Sequence, residues 1–201
     1  MDETNKSIGI IVLAAGASTR MQEPKQLLQF EGKTLLRRAV ETAIETNCGA
    51  VVVVLGANFE KTSAEIANLN ASVCYNENWQ QGLSSSLKFG LKKLRSISPN
   101  IDAFIVSLAD QPFVTARHLH HFITKFRKTN NPIIAANYYD TIGVPSLFGK
   151  NLFAELMTIS GDRGAKMLIE KYRNTLATIN LPEAAFDIDT KDDYLKLSSC
   201  R

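Results

Sequence analysis

Cysteine is scarce in this chain: Cys48, Cys74 and Cys200 stand far apart among 201 residues. No CxxC pair occurs, so the spacing offers neither a disulfide framework nor a zinc site, and reduced thiols are expected. Long apolar runs are missing too; nothing approaches the roughly 20 residues that a membrane-spanning helix needs. Charge of one sign is also in short supply, with a formal net charge of only +3. A general nucleic-acid binder carries a clustered basic face, so that class is disfavoured, although a local cationic site is not. The segment Met1–Lys6 is polar and acidic, unlike a secretion leader, and the expected location is cytoplasmic. Internal repeats, low-complexity segments and linkers are absent. With 45% hydrophobic and 21% charged residues, the chain has material for an ordinary core without help from metals or disulfides.

What is present is an alternation of short β-branched runs with longer stretches of helical period. Apolar runs occur at 8–13, 50–55 and 103–108, with further strands expected at 132–136 and 71–75. Runs this continuously apolar are covered on both faces, as in a parallel sheet. Between them, 34–46, 84–94 and 116–128 place Leu36, Val40, Leu87, Leu91, Leu119 and Phe122 on helical stripes. Helices are also expected over 162–172 and 191–197. The pattern predicts one α/β domain over 1–201, with three layers (αβα) around a mostly parallel central sheet. The stretch Tyr138–Ser160 breaks the rhythm and reads as a small insertion or lid; with the turn that follows, residues 138–165 are expected to be irregular.

In open α/β sheets, ligands bind at the carboxyl ends of the strands. The first such end reads Leu13-Ala14-Ala15-Gly16-Ala17-Ser18-Thr19-Arg20-Met21, followed by Pro24-Lys25. Small residues let the backbone approach a bound group, and Gly16 can adopt the positive φ that a phosphate-wrapping turn often needs. Arg20 and Lys25 add a planar fork and a point charge. Alone, this is equally a tight turn with two surface cations. It is neither a Walker A loop nor a G-x-G-x-x-G fingerprint. The third apolar run ends in Leu108-Ala109-Asp110-Gln111-Pro112. That places Asp110 at the same sheet edge, where a carboxylate either coordinates a hard cation such as Mg²⁺ or caps the helix that follows. In Phe186-Asp187-Ile188-Asp189-Thr190, strand alternation would put Asp187 and Asp189 on one side; Asp189 or Thr190 is alternatively the cap of the last helix.

Taken together, these segments resemble the molybdenum cofactor cytidylyltransferase branch of the MobA-like nucleotidyltransferases. The resemblance runs from Ile8 to Leu197 and adds Asn78-Trp79-Gln80-Gln81-Gly82-Leu83-Ser84-Ser85-Ser86, Gly143-Val144-Pro145 and Ser160-Gly161-Asp162-Arg163-Gly164. It implies a Rossmann-like nucleotidyltransferase fold, and transfer of CMP from CTP to the phosphate of molybdopterin carrying molybdenum, with release of pyrophosphate. By position it implies that Leu13, Ala14, Ala15 and Gly16 contact the nucleotide, with Arg20 and Lys25 on its phosphates and Gly82 and Ser86 at the base. It also implies Mg²⁺ on Asp110 and Asp187, and Gly143, Pro145, Gly161, Asp162 and Gly164 on the pterin side. Arg20, Lys25 and Asp110 would carry catalysis. GTP-using relatives read Leu-Ala-Gly-Gly, so Ala15 points to CTP; Gln22 stands where the family usually has Gly. Rival readings are a guanylyl- or sugar/polyol-phosphate nucleotidyltransferase and, from another class, a non-catalytic cofactor carrier. A molybdenum hydroxylase is the expected recipient.

Other features are read more plainly. Trp79 is expected as a half-buried packing aromatic, and one of Ser84, Ser85 and Ser86 as a helix N-cap. His118, His120 and His121 are read as surface or boundary residues rather than metal ligands. Asp162 and Arg163 are expected to cap the next helix and pair with one another.

Overall fold

The computed structural model of the chain describes residues 6–19, 21 and 23–199. Seven strands form the main sheet: β1 (Ile8–Ala14), β4 (Val51–Leu55), β5 (Ser72–Tyr75), β6 (Ala103–Leu108), β7 (Ile133–Tyr138), β8 (Thr141–Gly149) and β9 (Ala177–Asn180). Their order is β5-β4-β1-β6-β8-β7-β9. Every neighbouring pair is parallel except those made by β8, which runs against both β6 and β7. A small hairpin of β2 (Gln29–Phe30) and β3 (Lys33–Thr34) stands apart.

Strand alternation divides the core between two helical layers. Ile10, Val12, Val53 and Ile105 face α1 (Leu35–Glu45), α2 (Phe59–Glu65) and α4 (Ala116–Thr129), which contribute Val40 and Phe122 to the same cluster. Ile11, Leu13, Val54 and Phe104 face α3 (Leu83–Ile97), α5 (Phe153–Leu156) and α6 (Lys166–Lys171), which contribute Leu91, Leu156 and Leu168. The result is the three-layer arrangement that the apolar runs predicted. Thr34 opens α1 by accepting from the Arg37 amide at 3.1 Å. Thr115 and His118 form a reciprocal capping box on α4, so Asp110 is not that helix's cap.

A third, smaller cluster joins Met21, Leu28, Phe30 and Leu35 to Ile188 and Leu197, the latter on α7 (Lys191–Ser199). It fastens the C-terminal segment beside the first loop. Burying side chains such as Ile188 and Leu197 contributes roughly 1.5–3 kcal/mol each.

Three expectations are corrected. Tyr138–Ser160 is not an appendage: it contains β8, inserted between β6 and β7, followed by α5. Gly143 and Pro145 read as loop signals, but β8 bulges there, its pairing with β7 jumping from Ala135↔Ser146 to Ala136↔Gly143. The helix expected over 162–172 is confined to Lys166–Lys171 and follows a turn. The serines do not cap α3: Gly82, at φ +92°, lets the helix start at Leu83, and the Gly161 carbonyl accepts from the Ser84 amide.

Candidate active site

The carboxyl ends of β1 and β6 open onto a cleft of about 440 Å³. Leu13, Ala14, Ala15, Gly16, Lys25, Gly82, Ser86 and Asp110 all line it, with Trp79 half-buried on the wall. Arg20 and Gln22 lie outside the described residues. A second chamber of about 340 Å³ adjoins the first through Leu13, Leu83, Leu108 and Asp162. Tyr138, Ile142, Gly143, Val144, Arg163 and Lys166 are among its other lining residues.

The loop after β1 is held by side chains that its sequence did not advertise. Positive φ falls on Ser18 (+55°) rather than on Gly16. Ser18 Oγ accepts from the Lys25 amide at 3.0 Å and bonds Gln26 Oε1 at 3.2 Å. Those contacts stabilise a left-handed conformation that a serine otherwise visits rarely. Gln26, only 2% exposed, donates from Nε2 to the carbonyls of Ala14 (3.1 Å) and Gly16 (2.6 Å). A short 3₁₀ turn over Lys25–Leu27 after Pro24 therefore carries both the loop's internal fastener and its lysine. In sequence Gln26 is only a polar residue next to Lys25, and its burial under the loop is seen only in the fold.

Lys25 Nζ stands 2.5 Å from Asp110 Oδ2 and 2.9 Å from Asp189 Oδ1. Burial alone would lower the Lys25 ammonium, but Asp110 and Asp189 outweigh it and hold the group above the ordinary lysine range. The Asp187 carboxyl is open to solvent on one side, with protein crowded behind it. That desolvation pushes its pKa up to about 6; the charges of Asp110 and Asp189 act the same way, opposed by Gln111 and Lys25. Asp187 does not line either chamber.

Residues 186–189 are not a strand, contrary to the expected alternation. The segment is set by Ile188, fully buried in the third cluster, whose amide donates to the Asp110 carbonyl at 3.1 Å. With Ile188 turned inward, Asp189 pairs with Lys25 while Asp187 stays outside both chambers. Thr190 opens α7 through reciprocal bonds with Asp193, so Asp189 is left to pair with Lys25.

The donor set suits a hard divalent cation. Asp110 Oδ1 is buried and has no hydrogen-bond partner among the described residues, and the neighbouring aspartates repel one another. No group of three His, Cys, Asp or Glu among the described residues is arranged to hold a metal on its own. Mg²⁺ at nucleotide sites is usually held by one or two carboxylates plus substrate phosphates and water, and Asp110 presents one such carboxylate at the cleft.

On the second chamber, Gly143 and Asp162 are lining residues, whereas Pro145 is buried and Gly161 and Gly164 flank the turn without lining it. An ideal Cβ on Gly143 would lie 2.3 Å from Tyr138 Oη, so the absent side chain is what lets that ring lie across the chamber. Tyr138 was not singled out from sequence; burial and the charge of Asp187 raise its phenol above the ordinary range. Arg163 pairs with Glu170 rather than Asp162. His118 caps α4, and His120 and His121 are exposed. No helix among the described residues is long and apolar enough to cross a membrane.

Comparison with known proteins agrees with this geometry. The chain is 29% identical over 197 residues to nicotine blue oxidoreductase of Paenarthrobacter nicotinovorans, covering 93% of this chain and 94% of that one. It is 25% identical to molybdenum cofactor cytidylyltransferase of Escherichia coli K12, with 94% of each covered. Rv0371c of Mycobacterium tuberculosis H37Rv, solved in complex with manganese, superposes with a TM-score of 0.82 at 28% identity, covering 98% of this chain and all of that one. Residues 10–176 match the MobA-like NTP transferase domain. A loop at the end of the first strand, a carboxylate at the end of the strand beside it and a match of that length lead to one statement: this chain belongs to the MobA-like NTP transferases.

Proposed function

We propose that the protein transfers CMP from CTP to the terminal phosphate of molybdopterin carrying molybdenum, releasing pyrophosphate. The observation that carries this reading is the placement of Asp110, with its partnerless buried Oδ1, beside Lys25 in the larger chamber, which adjoins the smaller through Leu13, Leu83, Leu108 and Asp162. The larger chamber, floored by Leu13–Ala17, is given to the nucleotide; the smaller, lined by Tyr138, Gly143 and Arg163, to the acceptor. Support for the acceptor comes from the cytidylyltransferase relative. Support for CTP comes from Ala15, whose methyl occupies the cleft wall where GTP-using relatives have glycine.

In this mechanism an oxygen of the acceptor phosphate attacks the α-phosphorus of CTP, and the bond to the pyrophosphate oxygen breaks in line. The acceptor phosphate is already a nucleophile, so no general base is required. Positioning and charge stabilisation dominate such transfers. Lys25 exchanges one of its two carboxylate partners for a phosphate oxygen, and Arg20 is assigned to the same phosphates. Small residues at 14–17 let backbone amides approach the anion. Asp110 and Asp187 would hold a divalent ion, Mg²⁺ in this proposal, which supplies neutralisation of charge on the phosphates. Arg163 and Lys166 on the second chamber are suited to the acceptor's own negative charge. The proposal places the enzyme in the cytoplasm and its product with a molybdenum hydroxylase.

The test is pyrophosphate release with CTP, GTP or ATP, each with molybdenum-loaded molybdopterin or with a sugar phosphate. Release with CTP and molybdopterin cofactor is expected. Release with GTP moves the protein to the guanylyl branch, and release only with the sugar phosphate replaces the acceptor. No release with any pair removes the transferase reading.

A further inference from the structure

Behind the wall of the larger chamber lies a polar group that the mechanism leaves unused. Asn76 follows β5 and is 1% exposed. Its backbone amide donates to the Leu55 carbonyl at 2.9 Å, which fixes it to the end of β4. The Asn78 amide donates to Asn76 Oδ1 at 3.1 Å. A backbone N–H can only donate, so this contact settles which side-chain atom is oxygen and which is nitrogen. The two hydrogens on Nδ2 then go to Ser85 Oγ at 3.1 Å and Ser86 Oγ at 3.0 Å. The amide is saturated and cannot rotate without losing three bonds.

Ser86 lines the cleft. Its oxygen accepts from Asn76, and among the described residues no contact takes its hydroxyl proton. A buried hydroxyl whose proton lacks an acceptor is costly, so the site favours a ligand that supplies one. We infer that Asn76 is a positioning residue that holds Ser86 as a hydrogen-bond donor into the cleft, selecting a nucleobase edge that presents a carbonyl oxygen or unprotonated ring nitrogen. A base edge offering N–H there leaves the Ser86 proton unpaired. This inference rests on the reading of the larger chamber as a nucleotide site.

Replacing Asn76 by Asp tests it with little change of shape. The carboxylate keeps the bond from the Asn78 amide but turns the former donor into an acceptor, which captures the Ser86 proton. Calorimetric titrations would compare CTP with inorganic tripolyphosphate, a probe without a base. N76D is expected to weaken CTP binding about 10- to 100-fold, the effect of one lost buried hydrogen bond, while tripolyphosphate binding is unchanged. S86A should lose as much for CTP, and the double variant no more than S86A alone, because Asn76 acts through Ser86. An equal loss for tripolyphosphate, an additive loss in the double variant, or unchanged CTP affinity in either single variant overturns the assignment. S86A keeps the test decisive where N76D fails to fold. Wild-type protein that binds neither probe overturns the nucleotide reading itself, an outcome distinct from a wild type that binds CTP and variants that bind it equally well.

Discussion

The two chambers are built by different means. The chamber proposed for the nucleotide uses the ends of β1 and β6, parallel neighbours in continuous register from Ile8↔Ala103 to Leu13↔Leu108. Its floor is backbone and small side chains, fastened by Gln26. The acceptor side uses the β7–β8 hairpin, whose register slips, and its surface is made of larger side chains, Tyr138, Ile142 and Val144 among them. A floor of backbone and small side chains suits what nucleoside triphosphates share, a phosphate chain. Side chains, Ser86 on the wall of the first chamber and Tyr138 and Ile142 in the second, suit what distinguishes one ligand from another.

That contrast can be broken from either side. Asp110→Ala should have the largest effect, lowering kcat about 10²- to 10³-fold through lost charge stabilisation, with a folded, cooperative melt retained. Turnover close to wild type would remove Asp110 from the site. Lys25→Met should lower kcat by roughly 10²-fold. It also removes the ammonium that Asp110 and Asp189 share, so Tm should fall by about 2–6 °C. Adding Mn²⁺ should recover much of that Tm; no recovery would argue that the carboxylates do not share a cation site.

Gly143→Ala attacks the other chamber alone. The added methyl displaces the Tyr138 ring, and the KM for the acceptor should rise about tenfold, as expected for a small misplacement near the reacting groups. The KM for the triphosphate should stay unchanged, and a parallel rise in both would erase the division between the chambers. Tyr139→Gly should be the mildest. Tyr139 sits at the hairpin tip with φ +54° and is 79% exposed. Glycine relieves that backbone at some entropic cost, so Tm should rise by roughly 1–3 °C without a change in either KM. A raised acceptor KM would show that the ring reaches the ligand.

The same contrast explains what was legible in the sequence. β1, β4 and β6 announce themselves because strands buried on both faces must be continuously apolar. Asp110 follows from the strand that carries it. β8 hides because Gly143 and Pro145 signal a loop, while the bulge that accommodates them exists only once β7 is alongside. The aspartates at 187 and 189 were visible as a pair, but their surroundings depend on Ile188 entering a cluster with Met21 and Phe30, residues remote in sequence. The cap of α3 went to Gly82 for a similar reason: the Gly161 carbonyl that satisfies the Ser84 amide comes from far along the chain. Ser18 took the left-handed position expected of Gly16 because Lys25 and Gln26 reward its hydroxyl there.

Gln26 has a thermodynamic consequence. By tying the Ala14 and Gly16 carbonyls to the segment that carries Lys25, it makes loop and lysine one preorganised body. A flexible loop loses conformational freedom when it closes around an anion, and that loss is subtracted from affinity. The Ala14–Gly16 backbone and Lys25 are positioned together by these bonds, so an anion that binds there is spared that part of the entropy loss and meets a geometry inherited from folding.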